Sequence, residues 1–189
     1  IDGLRRMEYR GYDSAGVAVL NGDGIKVRKS AGKLSALVEK LRNETPVGTL
    51  GIGHTRWATH GAPTTPNAHP HLDQSGRIAL IHNGIIENAS AIRKALEKRN
   101  HTFTSETDTE VLAHLIGAYY DGNLEQAVAA ALWDVEGAYG IAVISADEPD
   151  VLIAARKGSP LLVGVGDGEY FVASDASAMM TGTSMVIDG

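Results

Sequence analysis

The sequence predicts an α+β layered domain, and three features of its pattern lead there. Short strand-like apolar runs fall in two separate groups, near residues 15–28 and again over 139–173. Between the groups, apolar residues recur at helical spacing over 92–132. The later strands are joined by short Gly, Asp and Pro links that allow hairpins but no crossover helix, so they are antiparallel.

Each element has its own reason. Leu4 and Met7, flanked by Arg and Glu, fit the last turns of an amphipathic helix that Gly11 stops. Residues 15–20 read as a strand, and Asn21-Gly22-Asp23-Gly24 supplies the positive-φ residues of a tight hairpin. Ile25 and Val27, alternating with Lys26 and Arg28, make a half-buried return strand. Leu34, Leu37, Val38 and Leu41 then take helical spacing. Residues 49–53 and 78–81 read as buried strands, each ending in polar residues that can reach a site: His54-Thr55-Arg56-Trp57 and His82-Asn83-Gly84. Residues 58–74, aperiodic and rich in Pro, Thr, Asn and His, read as a long functional loop. Helices follow at Ile92, Ala95 and Leu96, at 111–119 with Asp108 placed to cap it, and at 124–132. Four strands close the chain, near 139–145, 151–155, 161–165 and 169–173.

At 189 residues one domain is expected, and 43% hydrophobic against 21% charged residues excludes disorder and fibrous repeats. A net charge of −6 without clustered Lys or Arg argues against nucleic acid or an anionic membrane as partner. No apolar run approaches the ~20 residues that span a bilayer, and residues 1–10 lack the apolar centre of a signal peptide, so a cytoplasmic, small-molecule enzyme is expected. With no Cys among the 189 residues, disulfides, thiolate metal sites and a cysteine nucleophile have no residue to use. The chain opens without Met in charged residues that read as mid-helix, which suggests further sequence upstream.

Five of seven histidines, His54, His60, His69, His71 and His82, crowd into 29 residues, yet neither His-x-x-x-His with a Glu nor Cys-x-x-Cys occurs. No metal and no other cofactor is expected, His69 and His71 being the only suggestive pair. Residues 54–61 bring a guanidinium, an indole, hydroxyls and imidazoles together; Arg56 can grip a carboxylate with its planar fork and Trp57 can close over a ligand, or Arg56 can sit in a structural ion pair beside Trp57 as a core ring. Asn83 beside Gly84 has the makings of an oxyanion hole, or of a plain Asn-Gly turn. Asp108 can cap its helix or aim its carboxylate at a ligand ammonium. The run Gly164, Gly166, Gly168 lacks the following helix that a phosphate loop needs.

Taken together, Tyr9-Arg10-Gly11-Tyr12-Asp13-Ser14-Ala15-Gly16, residues 54–61, Asn67-Ala68-His69-Pro70-His71, His82-Asn83-Gly84-Ile85-Ile86-Glu87-Asn88 and Ser105-Glu106-Thr107-Asp108-Thr109-Glu110 resemble the glutaminase domains of the glucosamine-6-phosphate synthase family. Ala154-Ala155-Arg156-Lys157-Gly158-Ser159-Pro160-Leu161 and Phe171-Val172-Ala173-Ser174-Asp175 are similar to the same family. Relatives acting on phosphoribosyl pyrophosphate share the Arg-Gly, Arg56 and Asn-Gly positions, but Trp57, His60, Tyr12 and Asp13 favour the sugar-phosphate branch.

The resemblance implies a four-layer αββα sandwich of largely antiparallel sheets with an N-terminal cysteine nucleophile, releasing ammonia from L-glutamine for transfer to fructose 6-phosphate. It further implies that Arg56 holds the glutamine α-carboxylate and Asp108 its α-ammonium, that Asn83 and Gly84 stabilise the oxyanion, and that Arg10 and Gly11 lie beside the nucleophile. Trp57, Thr59 and His60 belong to a loop closing over glutamine, which His69 shapes. On this reading residues 1–189 are one glutaminase domain whose nucleophile segment precedes Ile1 and whose isomerase domain follows, inactive as written. The full-length enzyme is compatible with a homodimer. A non-catalytic glutamine-binding module and a metal-dependent amidohydrolase using His69 and His71 are the alternatives.

Overall fold

The computed structural model describes residues 1–57, 61–179 and 186–188. Helix α1 (Asp2–Met7) runs through a 3-10 turn (Glu8–Arg10) into β1 (Ser14–Asn21), which folds back as β2 (Gly24–Ala31). Helix α2 (Leu34–Asn43) and β3 (Leu50–Arg56) complete the first half. A short β4 (His71–Leu72) and the long β5 (Ile78–Ile86) lead into α3 (Ala89–Glu97), α4 (Asp108–Tyr119) and α5 (Leu124–Trp133). Strands β6 (Gly137–Ser145), β7 (Glu148–Lys157), β8 (Leu162–Val165), β9 (Tyr170–Ala173) and β10 (Val186–Asp188) follow. The sheets run β2-β1-β3, β4-β5-β6-β7 and β10-β8-β9, with antiparallel neighbours throughout.

The period-two pattern of β1 builds the layers. Ala18 and Leu20 point one way and, with Ile52 of β3, meet Ala79, Ala142 and Ile144 of the facing sheet. Ala15 and Val17 point the other way, onto Leu34, Leu37 and Leu41 of α2. The outer face of the second sheet carries Leu80, Ile141 and Val143, which pack on Leu112, Ile116, Leu124 and Val128 of the helical layer. The order is therefore helix, sheet, sheet, helices, the αββα sandwich that the sequence motifs imply.

Four of the departures from the sequence reading lie near the cavity and its approaches, and three of them build the site. Strand β3 does not end at Gly53: pairing of Gly16 with His54 and Ser14 with Arg56 carries it to Arg56. Strand β5 runs on to Ile86 because Asn83 pairs with Gly140 and Gly84 with Tyr139, so Asn83-Gly84 lies within a strand and makes no turn. Helix α4 is capped by Thr107 and not Asp108; Thr107 is extended (φ −82°, ψ 148°) and its hydroxyl accepts from the Glu110 N–H. Asp108 thus keeps its carboxylate for tertiary use. The fourth departure is β4, which pairs with β5 inside the stretch read as loop.

Candidate functional site

Helix α4 is buried on every side from Asp108 to Ile116. A helix so enclosed must find partners for the polar groups of its first turn inside the protein. Asp108 Oδ2 accepts from the Ile86 N–H at 2.9 Å, tying the helix start to the strand that carries Asn83 and Gly84. The Thr109 hydroxyl meets His69 Nε2 at 2.7 Å and His82 Nδ1 at 3.0 Å, with Asp108 Oδ1 at 3.5 Å. With two imidazole nitrogens and one carboxylate oxygen around it, that hydroxyl has as many neighbours as its one O–H and two lone pairs can serve. Thr109→Val removes it and is expected to lower stability by about 1–3 kcal/mol, measured by urea unfolding; an unchanged midpoint would show that the hydroxyl holds nothing.

The imidazoles of His54, His69 and His71 are neutral. Burial pushes His54 and His71 down to about 3, and His69 well below its ordinary value. For His71 the nearby Lys29 ammonium adds to the effect. The rings of His54 and His69 lie 4.5 Å apart, and those of His69 and His71 4.9 Å apart. Among the described residues no three His, Asp or Glu are grouped so as to hold a metal ion.

Above this cluster a cavity of about 860 Å³ opens between the two sheets. Arg56, Trp57, His69, Asn83, Gly84, Asp108 and Arg10 all line it. Arg56 is 3% exposed, and its guanidinium donates to the Gly61 and Ala62 carbonyls at 3.3 and 3.4 Å, with Asp13 at 3.9 Å. Burial lowers its pKa, and Asp13 and Asp108 act in the opposite direction. It stays a cation, as guanidinium groups do in proteins. Arg10 reaches across to the Ser174 carbonyl and hydroxyl at 3.3 and 3.4 Å.

Gly11 stands outside the cavity wall. A Cβ there would lie 2.7 Å from the Arg56 carbonyl carbon and 2.9 Å from the Trp57 nitrogen, so Gly11 lets the chain press against the backbone of the Arg56-Trp57 step. Trp57, 59% exposed, stands at the cavity mouth with its ring edge-on to Tyr12, centroids 5.4 Å apart. Thr59 and His60 lie outside the described residues.

Sequence reasoning placed Arg56 and Asp108 but missed what orients them. Asn67, Glu106, Thr109 and Glu110 belong to the motifs that carry the resemblance, but no role of their own attaches to them in the sequence. Glu110 accepts from both the N–H and the hydroxyl of Thr104 and of Ser105, which shapes the loop delivering Asp108.

Compared with known proteins, residues 54–181 match the glutamine amidotransferase domain family. The chain belongs to that family. This amidotransferase domain is 58% identical over 187 residues to a glutamine–fructose-6-phosphate aminotransferase (isomerizing) of Thermus thermophilus, covering 99% of the chain and 31% of the relative. It is 52% identical over 183 residues to the protein of that name from Clostridium tetani, covering 97% of the chain and 30% of the relative. The domain thus spans about a third of the length of the curated relatives it matches. Among solved structures it resembles the glutamine phosphoribosylpyrophosphate amidotransferase from B. subtilis complexed with ADP and GMP, at TM-score 0.83 and 28% identity, over 98% of this chain and 41% of that one. A structure described as the allosteric regulatory enzyme of purine biosynthesis aligns at TM-score 0.85 and 29% identity, over 98% of this chain and 41% of that one. The fold of the amidotransferase domain is common to both branches, while the higher identities lie with the sugar-phosphate relatives. No described helix is long and apolar enough to cross a membrane.

Proposed function

We propose that this domain is the glutamine-hydrolysing part of a cytoplasmic glutamine:fructose-6-phosphate aminotransferase, supplying ammonia to a sugar-phosphate isomerase domain of the same polypeptide. The observation that carries the reading is a buried guanidinium, Arg56, and a buried carboxylate, Asp108, on the wall of one cavity with Asn83 and Gly84 beside them. Arg56 grips the α-carboxylate of L-glutamine and Asp108 its α-ammonium. The side-chain amide then lies along β5, where the Asn83 side chain and the Gly84 N–H meet the oxyanion that forms when a thiolate adds to the amide carbon. Such preorganised donors act most strongly where water is excluded, and losing one costs about 2.7–4 kcal/mol of transition-state stabilisation. Collapse of the intermediate breaks the C–N bond, releases ammonia and leaves a thioester for water to cleave.

The thiolate belongs to an N-terminal cysteine ahead of Ile1, a residue the 189 positions do not contain. Arg10 and Gly11 lie beside it. Trp57, at the cavity mouth, covers bound glutamine, and His69 shapes its floor. A glutamine-binding module without hydrolysis is the second reading, since Arg56 and Asp108 on one cavity wall suffice to hold the amino acid.

Titration calorimetry with L-glutamine tests the pocket. Arg56→Ala is expected to weaken binding about 100-fold, the worth of a lost bidentate charge-assisted contact. Arg56→Lys, which keeps charge but not the fork, is expected to fall between the two. Binding that survives Arg56→Ala at full strength would overturn the reading. Glutamate release by a protein carrying the leading cysteine separates hydrolysis from binding alone.

A further inference from the structure

The segment after Arg56 and the segment before Asp108 are stitched together at one place. Asn67 Nδ2 donates to Glu106 Oε2 at 3.0 Å and to the Ala62 carbonyl at 2.9 Å, while Asn67 Oδ1 accepts from the Glu106 N–H at 3.0 Å. Glu106 Oε2 also accepts from the Ala62 N–H at 3.3 Å. Asn67 is 3% exposed, so its amide is fully committed to this pairing. Gly61 is pressed against it: a Cβ there would lie 2.6 Å from Asn67 Nδ2 and 3.0 Å from Glu106 Cβ, at a φ of +76°. The same stretch turns its Gly61 and Ala62 carbonyls to the Arg56 guanidinium. Two residues beyond Glu106 stands Asp108.

From this arrangement we infer that Asn67 and Glu106 form a positioning clamp that fixes the carboxylate-binding pole of the pocket, Arg56, against the ammonium-binding pole, Asp108, and so selects a free α-amino acid. The inference rests on the glutamine reading above. The guanidinium must lie at one distance from Asp108 to engage both charges of the same α-carbon. Its plane is set by carbonyls on a loop that has no regular secondary structure between Arg56 and His71 among the described residues. Apart from short backbone turns at Thr64 and Ala68, such a loop depends on side-chain hydrogen bonds for its order. The clamp supplies them, and it anchors the loop to the chain that also delivers Asp108. Hydrogen bonds from Asn67 and Ala62 lower the Glu106 pKa, which keeps the acceptor ionised at neutral pH. His71 makes a second stitch alongside, with Nε2 3.0 Å from the Thr107 hydroxyl, but that hydroxyl is already committed to the helix cap. Neither Asn67 nor Glu106 lines the cavity, so both act through Arg56 and not on the substrate.

The test compares glutamine with 4-aminobutanamide, which keeps the amide and the amine but lacks the carboxylate, in the protein extended upstream to the leading cysteine that the glutamine reading requires. For Glu106→Ala, KM for glutamine is expected to rise about tenfold with kcat within a factor of about two, because binding lost equally from ground and transition states appears in KM. The inhibition constant of 4-aminobutanamide should not move. Asn67→Ala should reproduce this, and the double variant should be no worse than either single one, since the two residues act as one unit. Glu106→Gln, which retains an acceptor oxygen, should recover most of the loss and serves as the readout should the alanine variant fail to fold. An unchanged KM, or a rise in KM matched by an equal rise for 4-aminobutanamide, overturns the clamp while leaving the pocket intact. If the wild-type protein neither binds nor hydrolyses glutamine, the functional reading falls and the clamp with it.

Discussion

Gly84→Ala is expected to remove more than about 4 kcal/mol of stability and to abolish glutamine hydrolysis, the first read by urea unfolding and the second by glutamate release. The backbone at Gly84 has φ +145°, a region that side-chain-bearing residues essentially never occupy. A Cβ there would lie 2.1 Å from the Ala138 carbonyl oxygen and 2.9 Å from its carbon, and neither is the end of a flexible side chain that could swing away. Relief therefore requires the β5 and β6 backbones to separate at the Gly84–Tyr139 pair. That movement carries the Gly84 N–H and the Asn83 side chain off their line into the cavity, so activity is lost even in molecules that stay folded. Gly137, across the same ladder, is its counterpart: φ is +128° and a Cβ would lie 2.2 Å from the Ile85 oxygen. Gly76→Ala is the control, because Gly76 has φ +73° with nothing within 4 Å of an added Cβ. It should show only the strain of left-handed backbone, about 1–2 kcal/mol, with hydrolysis retained. A Gly84→Ala protein of wild-type stability would refute the proposed close approach.

Between pH 7.5 and pH 5.5 the protein is expected to lose about 4 kcal/mol of stability through its buried histidines. The folded-state pKa values of His54 and His71 are near 3 and that of His69 is well below its ordinary value, against an ordinary value of 6.5 that the unfolded chain recovers. Below pH 6.5 the unfolded state therefore binds protons that the folded state refuses. The slope of stability with pH is positive, so the contribution is complete above pH 6.5 and is lost as pH falls toward 3. Each imidazole accounts for about 1.4 kcal/mol by pH 5.5. His114, also lowered by burial, acts in the same direction. Lys29, lowered to about 8 by burial, is partly deprotonated in the folded state only near pH 7.5 and adds about 0.2 kcal/mol in the same direction. Urea midpoints measured at half-unit steps give the proton uptake directly, and His71→Gln should reduce it by about one proton. Equal stability at the two pH values would mean that these rings are hydrated and titrate normally.

How much of this was legible in the sequence differs by kind of residue. The hairpin at Asn21–Gly24, the helical stripe Leu34-Leu37-Leu41 and the short apolar runs of β6 and β7 follow from backbone preferences and apolar patterning, which are local properties. They appear in the structure at the expected places. The strand ends did not. Nothing local to His54-Thr55-Arg56 or His82-Asn83-Gly84 says extended backbone; Ser14, Gly16, Tyr139 and Gly140, distant in sequence, impose it by pairing. The cap of α4 shows the same limit at shorter range. Thr107 and Asp108 are both good capping residues, and the choice fell to Thr107 because Asp108 is needed by the Ile86 N–H.

Residue type and order by themselves determined the layered class, the polar strand ends that approach a site, and the chemical capacity of Arg56, Asn83 and Asp108, because charge, hydrogen-bonding groups and local conformational preference travel with each residue. Tertiary structure alone decided which capacities converge: that Arg56 is held by Gly61 and Ala62, that Thr109 joins two imidazoles to Asp108, and that Asn67 meets Glu106 across 39 positions of chain. Those contacts depend on how two sheets and a buried helix pack, and packing is a property of the whole chain that no short stretch of it carries.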